Sequence, residues 1–235
     1  MELSGCNMNL RGEMKGYFQA KAVGKSKRER TRAALLDGGV AVIADKGFSD
    51  ATVNDIARYA GLAQGTFYNH FVGRDELIIT AASLIARDID ERIIEDLSAM
   101  PNGADRFIQV VDRLISDAVN AEERGAIMLL GMRRYEASAD VFAELFLGHV
   151  KAAVEAGAFV TAPTDVLFRQ LTALITLTID LRMEDGAAFD ANVDACEAVM
   201  RLVGHSHADA EALVRRALTN DAGPALTAPG LRASS

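Results

Sequence analysis

Residues 52–71 read TVNDIARYAGLAQGTFYNHF and carry the clearest structural signal in the sequence. Thr52 and Asp55 form the start signal of a short helix, whose apolar face ends at Gly61. After a turn of three residues, a second short helix is predicted over 64–70, with Phe67 and Phe71 on one face. Two short helices joined by a glycine-containing turn are typical of a helix-turn-helix, whose second helix enters a DNA major groove.

The outer surface of that second helix is polar without being acidic. Its side chains are neutral hydrogen-bonding groups of the kind that contact base edges and phosphates: Gln64, Thr66, Tyr68, Asn69 and His70. From the helix spacing alone, an alternative remains open, in which this surface is the solvated face of an ordinary helical hairpin.

The helix before this unit also has clear end signals. Ser26 and Glu29 have the capping-box spacing, which predicts a helix start near 27, and Gly47 predicts its end near 46. Gly38 and Gly39 lie inside this helix and lower its intrinsic stability by about 1 kcal/mol each. We therefore expect a neighbouring element to pack closely against them.

Charge is unevenly spread along the 235 residues, whose formal net charge is −8. Residues 1–75 hold 11 Lys and Arg against 8 Asp and Glu, whereas the remainder holds 14 against 25. The basic run at 25–32 has the charge needed to follow DNA phosphates, although a solvated, mobile N-terminus is an equally good interpretation of that run alone. Residues 1–25 are predicted to be a disordered basic arm.

Beyond residue 75 the pattern is helical throughout, with no alternating strand signal. The predicted fold class is all-α, an N-terminal three-helix helix-turn-helix domain over 26–74 and a C-terminal helical domain over 75–220. Helices in this second domain are predicted at 75–97, 103–121, 124–137, 139–157, 164–184, 190–204 and 207–219. The tail at 221–235 is predicted to be disordered because it holds Pro and Gly without periodicity.

Composition and motifs argue against several classes of protein. No stretch has the length and apolarity of a membrane span, and the N-terminus lacks the pattern of a secretory signal, so we expect a cytoplasmic protein. We expect no cofactor and no metal site, since there are only two cysteines and the pair His205 and His207 has no neighbouring thiolate. Without a phosphate loop, a nucleophile elbow or a His-Glu-x-x-His motif, we also expect no enzyme.

From Thr31 to Leu77 the sequence resembles the N-terminal domain of the TetR family of bacterial transcriptional regulators. The matching segments are Gly47-Phe48, the Thr52 to Ala57 stretch, Ala60-Gly61-Leu62-Ala63, the Gly65 to Phe71 stretch and Gly73 to Leu77. Two residues depart from the family pattern. Ala63 replaces the usual capping serine, which removes a side-chain acceptor, and Arg74 replaces the usual lysine, which keeps the charge.

The resemblance implies roles for residues of this unit. Thr52, Thr66, Tyr68, His70 and Arg74 are expected to contact phosphates, while Gln64 and Asn69, with Asn54 nearby, are candidates for reading bases. The remaining large side chains are interpreted as the core of this small domain: Phe48, Ile56, Leu62, Phe67 and Phe71.

The resemblance also implies a homodimer formed by the last two long helices. The helix predicted over 164–184 is apolar around most of its circumference, and the next one carries a narrower apolar stripe. We therefore expect the dimer interface at Leu171, Leu174, Thr178, Leu181, Val193, Cys196, Val199, Met200 and Val203. A purely intramolecular core is the alternative.

A cavity for a small-molecule effector, of an identity that the sequence does not disclose, is a further implication of the resemblance. Large or adaptable apolar groups with a few polar ones are its candidate lining, although most of them also suit an ordinary core: Phe107, Val111, Met128, Met132, Arg133, Tyr135, Phe146, His149, Phe168 and Thr172. The predicted function is a repressor of duplex operator DNA that a ligand releases. The rival is an architectural DNA-binding protein without a ligand.

Overall fold

The computed structural model describes residues 14–134, 136–160, 164–185 and 190–219. For residues 122, 123, 132–134, 136–143, 184, 185 and 190 it describes the backbone only. All regular structure in the described residues is helical, as the sequence predicts. The helices are α1 (Tyr17–Lys21), α2 (Lys27–Asp50), α3 (Val53–Tyr59), α4 (Gln64–Tyr68), α5 (Arg74–Asp96), α6 (Ala104–Asn120), α7 (Glu122–Arg134), α8 (Glu136–Glu155), α9 (Asp165–Asp185), α10 (Asp190–Leu202) and α11 (His207–Thr219).

The start and the end of α2 follow the predicted signals. The Ser26 backbone N–H donates to the Glu29 carboxylate (2.9 Å), and the Glu29 N–H donates to Ser26 Oγ (3.3 Å), so the capping box is complete. The backbone leaves helical geometry at Gly47, where φ is 77°. The last residues of α2 therefore form a separate turn beyond this kink.

Glycine is required where α2 crosses its neighbours. A Cβ on Gly39 would lie 2.3 Å from Leu77 Cδ2 of α5, and one on Gly38 would lie 3.0 Å from the Ile56 carbonyl oxygen of α3. The expected close contact is confirmed at both positions. These two glycines bring α3 and α5 against the middle of α2, which fixes the position of the helix-turn-helix relative to the rest of the chain.

Residues 14–25 are folded, which corrects the expectation of a disordered arm for this part of the chain. Phe18 of α1 is buried, and the backbone N–H groups of Phe18 and Gln19 donate to the buried carboxylate of Asp37 in α2 (2.9 and 3.1 Å). Tyr17 and Lys21 both contact Asp88 of α5. Helix α1 thus connects α2 to α5. Residues 1–13, and the predicted disordered tail at 221–235, lie outside the described residues.

Helix α6 is the centre of the C-terminal helices. It contacts α5, α7, α8, α9, α10 and α11. Its amide Gln109 Nε2 donates to the Ala217 carbonyl oxygen of α11 (2.7 Å). Asn192 of α10 is fully buried and donates to Asp112 Oδ1 (2.7 Å) and Ser116 Oγ (2.9 Å) of α6, while it accepts from Arg182 of α9 (2.7 Å). These buried hydrogen bonds fix the relative positions of α6, α9, α10 and α11.

The remaining C-terminal expectations are met to within a few residues. The predicted helix over 207–219 has the observed bounds, whereas α7 and α8 each begin two to three residues earlier than predicted. His205 is half-buried, and its Nε2 atom lies 2.7 Å from the Ala158 carbonyl oxygen. In the described part of the chain, no helix has the length and apolarity needed to cross a membrane.

Candidate nucleic-acid interface and internal cavity

Helices α3 and α4 form the predicted two-helix unit. Thr52 caps α3: its hydroxyl accepts from the Asp55 N–H (3.1 Å) and donates to the Asp55 carboxylate (2.7 Å). Helix α4 begins at Gln64 after Ala63, which provides no side-chain cap, as expected from the missing serine. The turn between the helices passes through Gly61, whose φ of 68° is a conformation that glycine adopts without strain.

The apolar face of the unit is held by the predicted core residues. Ile56, Phe67 and Phe71 are buried, and Phe48 and Leu62 are half-buried and pack against them. The rings of Phe67 and Phe71 lie 5.7 Å apart. With this face inward, the predicted contact residues Thr52, Asn54, Gln64, Tyr68 and Asn69 are exposed, and Thr66 and His70 are half-buried at the edge of the unit.

The structure gives Thr52 and Arg74 intramolecular partners. The Thr52 hydroxyl proton is already donated to Asp55, and this bond is the first cause of the lowered pKa of the Asp55 carboxyl. Arg74 Nη1 donates to the carbonyl oxygens of Phe48 (2.9 Å), Ser49 (3.3 Å) and Ala51, and its guanidinium lies over the Phe48 ring. Arg74 therefore holds together the end of α2 and the turn before α3, a role that the resemblance does not indicate.

Positive charge lies beside α4 on the first turns of α2. Burial lowers the pKa of His70, and the nearby Arg28 and Arg32 lower it further, which favours the neutral imidazole. Arg32 lies over the Phe71 ring and reaches Thr80 (3.3 Å), whereas Arg28 is exposed. The basic run at the start of α2 therefore adds an exposed guanidinium to the edge of the polar surface on α4.

An internal cavity lies between α5, α6, α7, α8 and α9. Its volume is about 550 Å³ with its opening to solvent included, and its walls are mostly apolar. Its polar groups include Asp90 of α5 and His149 of α8, whose Oδ1 and Nε2 atoms are 2.7 Å apart. Phe146 belongs to the wall and contacts the rings of Phe107 and Phe168, with centroids 5.8 and 6.0 Å away.

The predicted lining residues divide into three groups. Met128, Phe146, His149 and Thr172 line this cavity. Phe107 and Phe168 stand behind Phe146, and Val111 is fully buried in the core away from the wall. Met132, Arg133 and Tyr135 lie outside the described side chains. Asp90 was not among the predicted lining residues. Its spacing from Ala86 and Ile93 places a carboxylate on an apolar helix face, and this pattern could have identified it.

Six of the nine predicted dimer residues face the interior of the single chain, which corrects these six to core positions. Six are buried: Leu171, Thr178, Cys196, Val199, Met200 and Val203. The Cys196 thiol lies 3.9 Å from the Ile108 carbonyl oxygen of α6, and its burial raises the pKa of the thiol. Leu174 and Val193 are half-buried and Leu181 is exposed. The stripe on α10 is covered by α6 and α11, so the intramolecular alternative holds for it.

Leu181 of the predicted set lies on an exposed apolar face of α9, together with side chains that the prediction did not include. Val166, Leu177 and Leu181 are 66, 54 and 45% exposed, and Ala173 lies between them at helical spacing. A shallow groove beside this face runs between α9 and α10 and is lined by Gln170, Ala173, Leu174, Ala198, Arg201 and Leu202. This exposed face and the adjoining groove, which include Leu181 and Leu174 of the predicted set, are the apolar surface that the two helices present.

A polar face on a short helix, held by a buried aromatic core and followed by a helical domain, is the arrangement of a helix-turn-helix unit. The profile of the bacterial regulatory proteins of the tetR family matches residues 35–81. This match covers most of α2, all of α3 and α4, and the first turns of α5, and over these residues the chain is similar to that family.

Curated relatives match part of the chain. The uncharacterised helix-turn-helix regulator YvdT of Bacillus subtilis is 32% identical over 90 residues, which is 38% of this chain and 44% of YvdT. YwcC, another uncharacterised regulator of that organism, is 40% identical over 53 residues, 23% of this chain and 24% of YwcC. The match spans less than half the length of these relatives.

Solved structures share the fold over most of the chain. RolR in complex with resorcinol superposes with a TM-score of 0.65 and 22% identity, covering 81% of this chain and 95% of RolR. The regulator FadR from Bacillus subtilis in complex with stearoyl-CoA gives a TM-score of 0.54 and 20% identity, with 72 and 96% covered. At these identities the likeness concerns the fold alone.

Proposed function

We propose that the protein is a cytoplasmic repressor that binds a pseudo-palindromic operator as a homodimer and is released by a small molecule. The observation that carries this proposal is the exposed, neutral polar face of α4, with an exposed arginine of α2 at its edge. Such a face suits direct contact with bases in the major groove. We place the DNA-binding domain at 26–74, together with the docked α1, and the effector and dimer domain at 75–220.

Within the operator complex, we assign base contacts to Gln64 and Asn69, whose carboxamides pair with adenine N6 and N7, with Asn54 beside them. Phosphate contacts are assigned to Thr66, Tyr68 and His70. Thr52 joins this group only if its hydroxyl turns away from Asp55. Arg74 is assigned a structural role, because it holds the turn before α3. The guanidinium assigned to the DNA backbone is that of Arg28.

The salt dependence of operator binding separates these arginines. Each phosphate contact contributes about 0.9 to the slope of log K against log salt, because binding releases condensed counterions. We expect Arg28→Ala to lower the slope by about 0.9, measured by fluorescence anisotropy at several salt concentrations. Arg74→Ala should leave the slope unchanged and lower the melting temperature, since it loses carbonyl partners rather than phosphate.

Arg215→Ala is the matched control, because Arg215 is exposed on α11 and pairs with Glu211, far along the chain from α2 and α4. It removes the same charge and should change neither slope nor operator affinity. A slope that falls for Arg74→Ala and not for Arg28→Ala would reverse the assignment.

A homodimer follows from the need to present two α4 helices to successive major grooves. We place its interface on the outer face of α9 and the adjoining groove of α10, because apolar side chains are exposed there in the single chain. A symmetric contact between two copies would remove Leu177 and Leu181 from water, which contributes roughly 25 cal/mol for each Å² of apolar surface.

Replacing Leu177 with glutamate tests this interface. The substitution places a carboxylate against its own symmetry mate in the dimer, whereas the exposed site tolerates it in the monomer. We expect the dimer to weaken at least tenfold in sedimentation velocity, with unchanged helical circular dichroism. Leu84→Glu is the matched control, since Leu84 is an exposed leucine of α5. A Leu177→Glu protein that remains dimeric would place the interface elsewhere.

Ligand release is proposed from the position of the cavity on α5. Helix α5 begins at Arg74 beside α4, packs on α2 at Gly39, and contributes Asp90 and Ile93 to the cavity wall. A ligand that favours a different tilt of α5 would change the separation of the two α4 helices from the roughly 34 to 36 Å that B-DNA requires. RolR and FadR, which share the fold, were solved with resorcinol and with stearoyl-CoA, and this supports a ligand-responsive cavity.

Selection of bound fragments from genomic DNA, followed by footprinting, tests the function. We expect an enriched pseudo-palindrome whose half-sites are about one helical turn or a multiple of it apart. Enrichment without any shared sequence would contradict operator recognition and favour the architectural alternative. The genes next to the enriched fragments identify candidate promoters. A transcription assay on these promoters, with and without the protein, then measures repression.

A further inference from the structure

We propose that the cavity takes a compact, uncharged molecule with an apolar body and one hydroxyl group, which donates a hydrogen bond to the Asp90 carboxylate. This inference deepens the proposed function and rests on it, because it names the chemical class of the releasing ligand. It is carried by the Asp90–His149 pair and by the size of the cavity.

Asp90 is a polar interruption in an apolar helix face. It follows Ala86 at four residues and precedes Ile93 at three, and all three line the cavity from α5. The Asp90 side chain is 17% exposed and that of His149 is 12% exposed, so both are largely withdrawn from solvent. A carboxylate placed there costs free energy unless its oxygens accept hydrogen bonds. The Asp90–His149 pair is therefore part of the cavity wall and not a surface contact.

His149 satisfies only one oxygen of this carboxylate. Its Nε2 atom lies 2.7 Å from Asp90 Oδ1, and among the described side chains no other partner of Asp90 is observed. A carboxylate offers about four acceptor positions and no donor. The group that completes the site must donate a hydrogen bond, and His149 acts as a positioning residue that holds the carboxylate toward the cavity.

Charge decides between the possible donors. A ligand carboxylate or phosphate would approach Asp90 with like charge in an apolar surrounding, where repulsion is weakly screened. A hydroxyl brings a donor without that penalty and without the desolvation cost of an ammonium group. The cavity wall also includes Val110, Leu114, Met128, Phe146 and Ile175, which suit an apolar body.

The free space limits the size of that body. The cavity's volume of about 550 Å³ includes its opening to solvent, and it lies in the lower half of the roughly 300 to 1,000 Å³ that small-molecule pockets span. The Phe146 ring in the wall, with Phe107 and Phe168 behind it, offers edges and faces that match an aromatic ring. A monocyclic phenol meets all these conditions.

Phenol, anisole and benzoate test the proposal on the full chain by isothermal titration calorimetry. Anisole keeps the ring and removes the hydroxyl proton, and benzoate adds the negative charge. We expect phenol to bind at least tenfold more tightly than anisole, which corresponds to about 1.4 kcal/mol, and benzoate to give no heat of binding. Equal affinities for phenol and anisole would overturn the donor, tighter binding of benzoate would overturn the exclusion of anions, and no binding of phenol would overturn the class.

Two variants locate the hydrogen bond. Asp90→Leu should abolish the preference for phenol over anisole, whereas Glu91→Gln, at the exposed neighbouring carboxylate of α5, should keep it. A preference that persists in Asp90→Leu would assign the donor to another acceptor. Should Asp90→Leu fail to fold, Asp90→Asn retains the shape and is expected to reduce the preference.

Failure of this inference and failure of the proposed function give different results. If phenol binds through Asp90 and operator affinity is unchanged, the ligand class stands and ligand release is wrong. If phenol does not bind and the protein still selects a palindrome, the ligand class is wrong and operator recognition stands.

Discussion

Replacing Gly125 with alanine should lower the free energy of unfolding by about 2 to 3 kcal/mol. Gly125 lies in α7 where this helix meets α6, and a Cβ there would stand 2.1 Å from the Ala118 carbonyl oxygen and 3.3 Å from Met183 Sδ. Backbone cannot move aside as a flexible side chain does, so α6 and α7 must separate. Urea unfolding followed by circular dichroism measures the change.

Gly148→Ala is the matched control, since Gly148 lies in α8 and a Cβ added there would meet no atom within 4 Å beyond its own stretch of helix. The same substitution there should raise the free energy of unfolding by about 0.5 to 1 kcal/mol, because alanine loses less backbone entropy in a helix. Opposite signs at the two sites separate close contact from helix propensity. A stabilised Gly125→Ala protein would mean that α7 does not approach α6 so closely.

Replacing Gln64 or Asn69 with alanine should remove selectivity at one or two base pairs of the operator half-site. A bidentate contact to a base is worth about 1 to 3 kcal/mol, so affinity for the preferred site falls about 10- to 100-fold while affinity for unrelated DNA hardly changes. Competition binding with operators varied one base pair at a time measures this selectivity.

Asn102→Ala provides the control for this experiment, because Asn102 is an exposed amide in the turn before α6. It should leave both affinity and selectivity unaltered. Equal losses on operator and unrelated DNA for the Gln64 and Asn69 variants would show phosphate contacts instead. Unchanged binding of both variants would refute their part in recognition.

Local signals in the sequence predicted the elements whose stability is local. The Ser26–Glu29 capping box and the Thr52 cap are contacts between residues three positions apart. The missing cap at Ala63 depends on one residue type. Gly38 and Gly39 predicted close contact because glycine destabilises the interior of a helix, and a close contact with a neighbouring helix accounts for its presence there. The unit of α3 and α4 was therefore predictable in detail.

Features that depend on distant partners were predicted less well. The stripe of Val193, Cys196 and Val199 is apolar whether a second chain or α6 covers it, and periodicity cannot distinguish these two neighbours. Helix α1 was missed because its five residues are too few for a periodic pattern, although Met14, Phe18 and Ala22 recur at four-residue spacing. The pairing of Asp90 with His149 was missed because the two residues are 59 positions apart.

Helix α1 has a consequence for how such chains diverge. The carboxylate of Asp37 is 5% exposed, and its observed donors are the backbone N–H groups of Phe18 and Gln19 and the Gln19 side chain. A chain that lost α1 would lose these donors and would expose the Asp37 carboxylate to water. The aspartate would then no longer anchor a helix, and descendants that shed α1 are expected to vary freely at position 37.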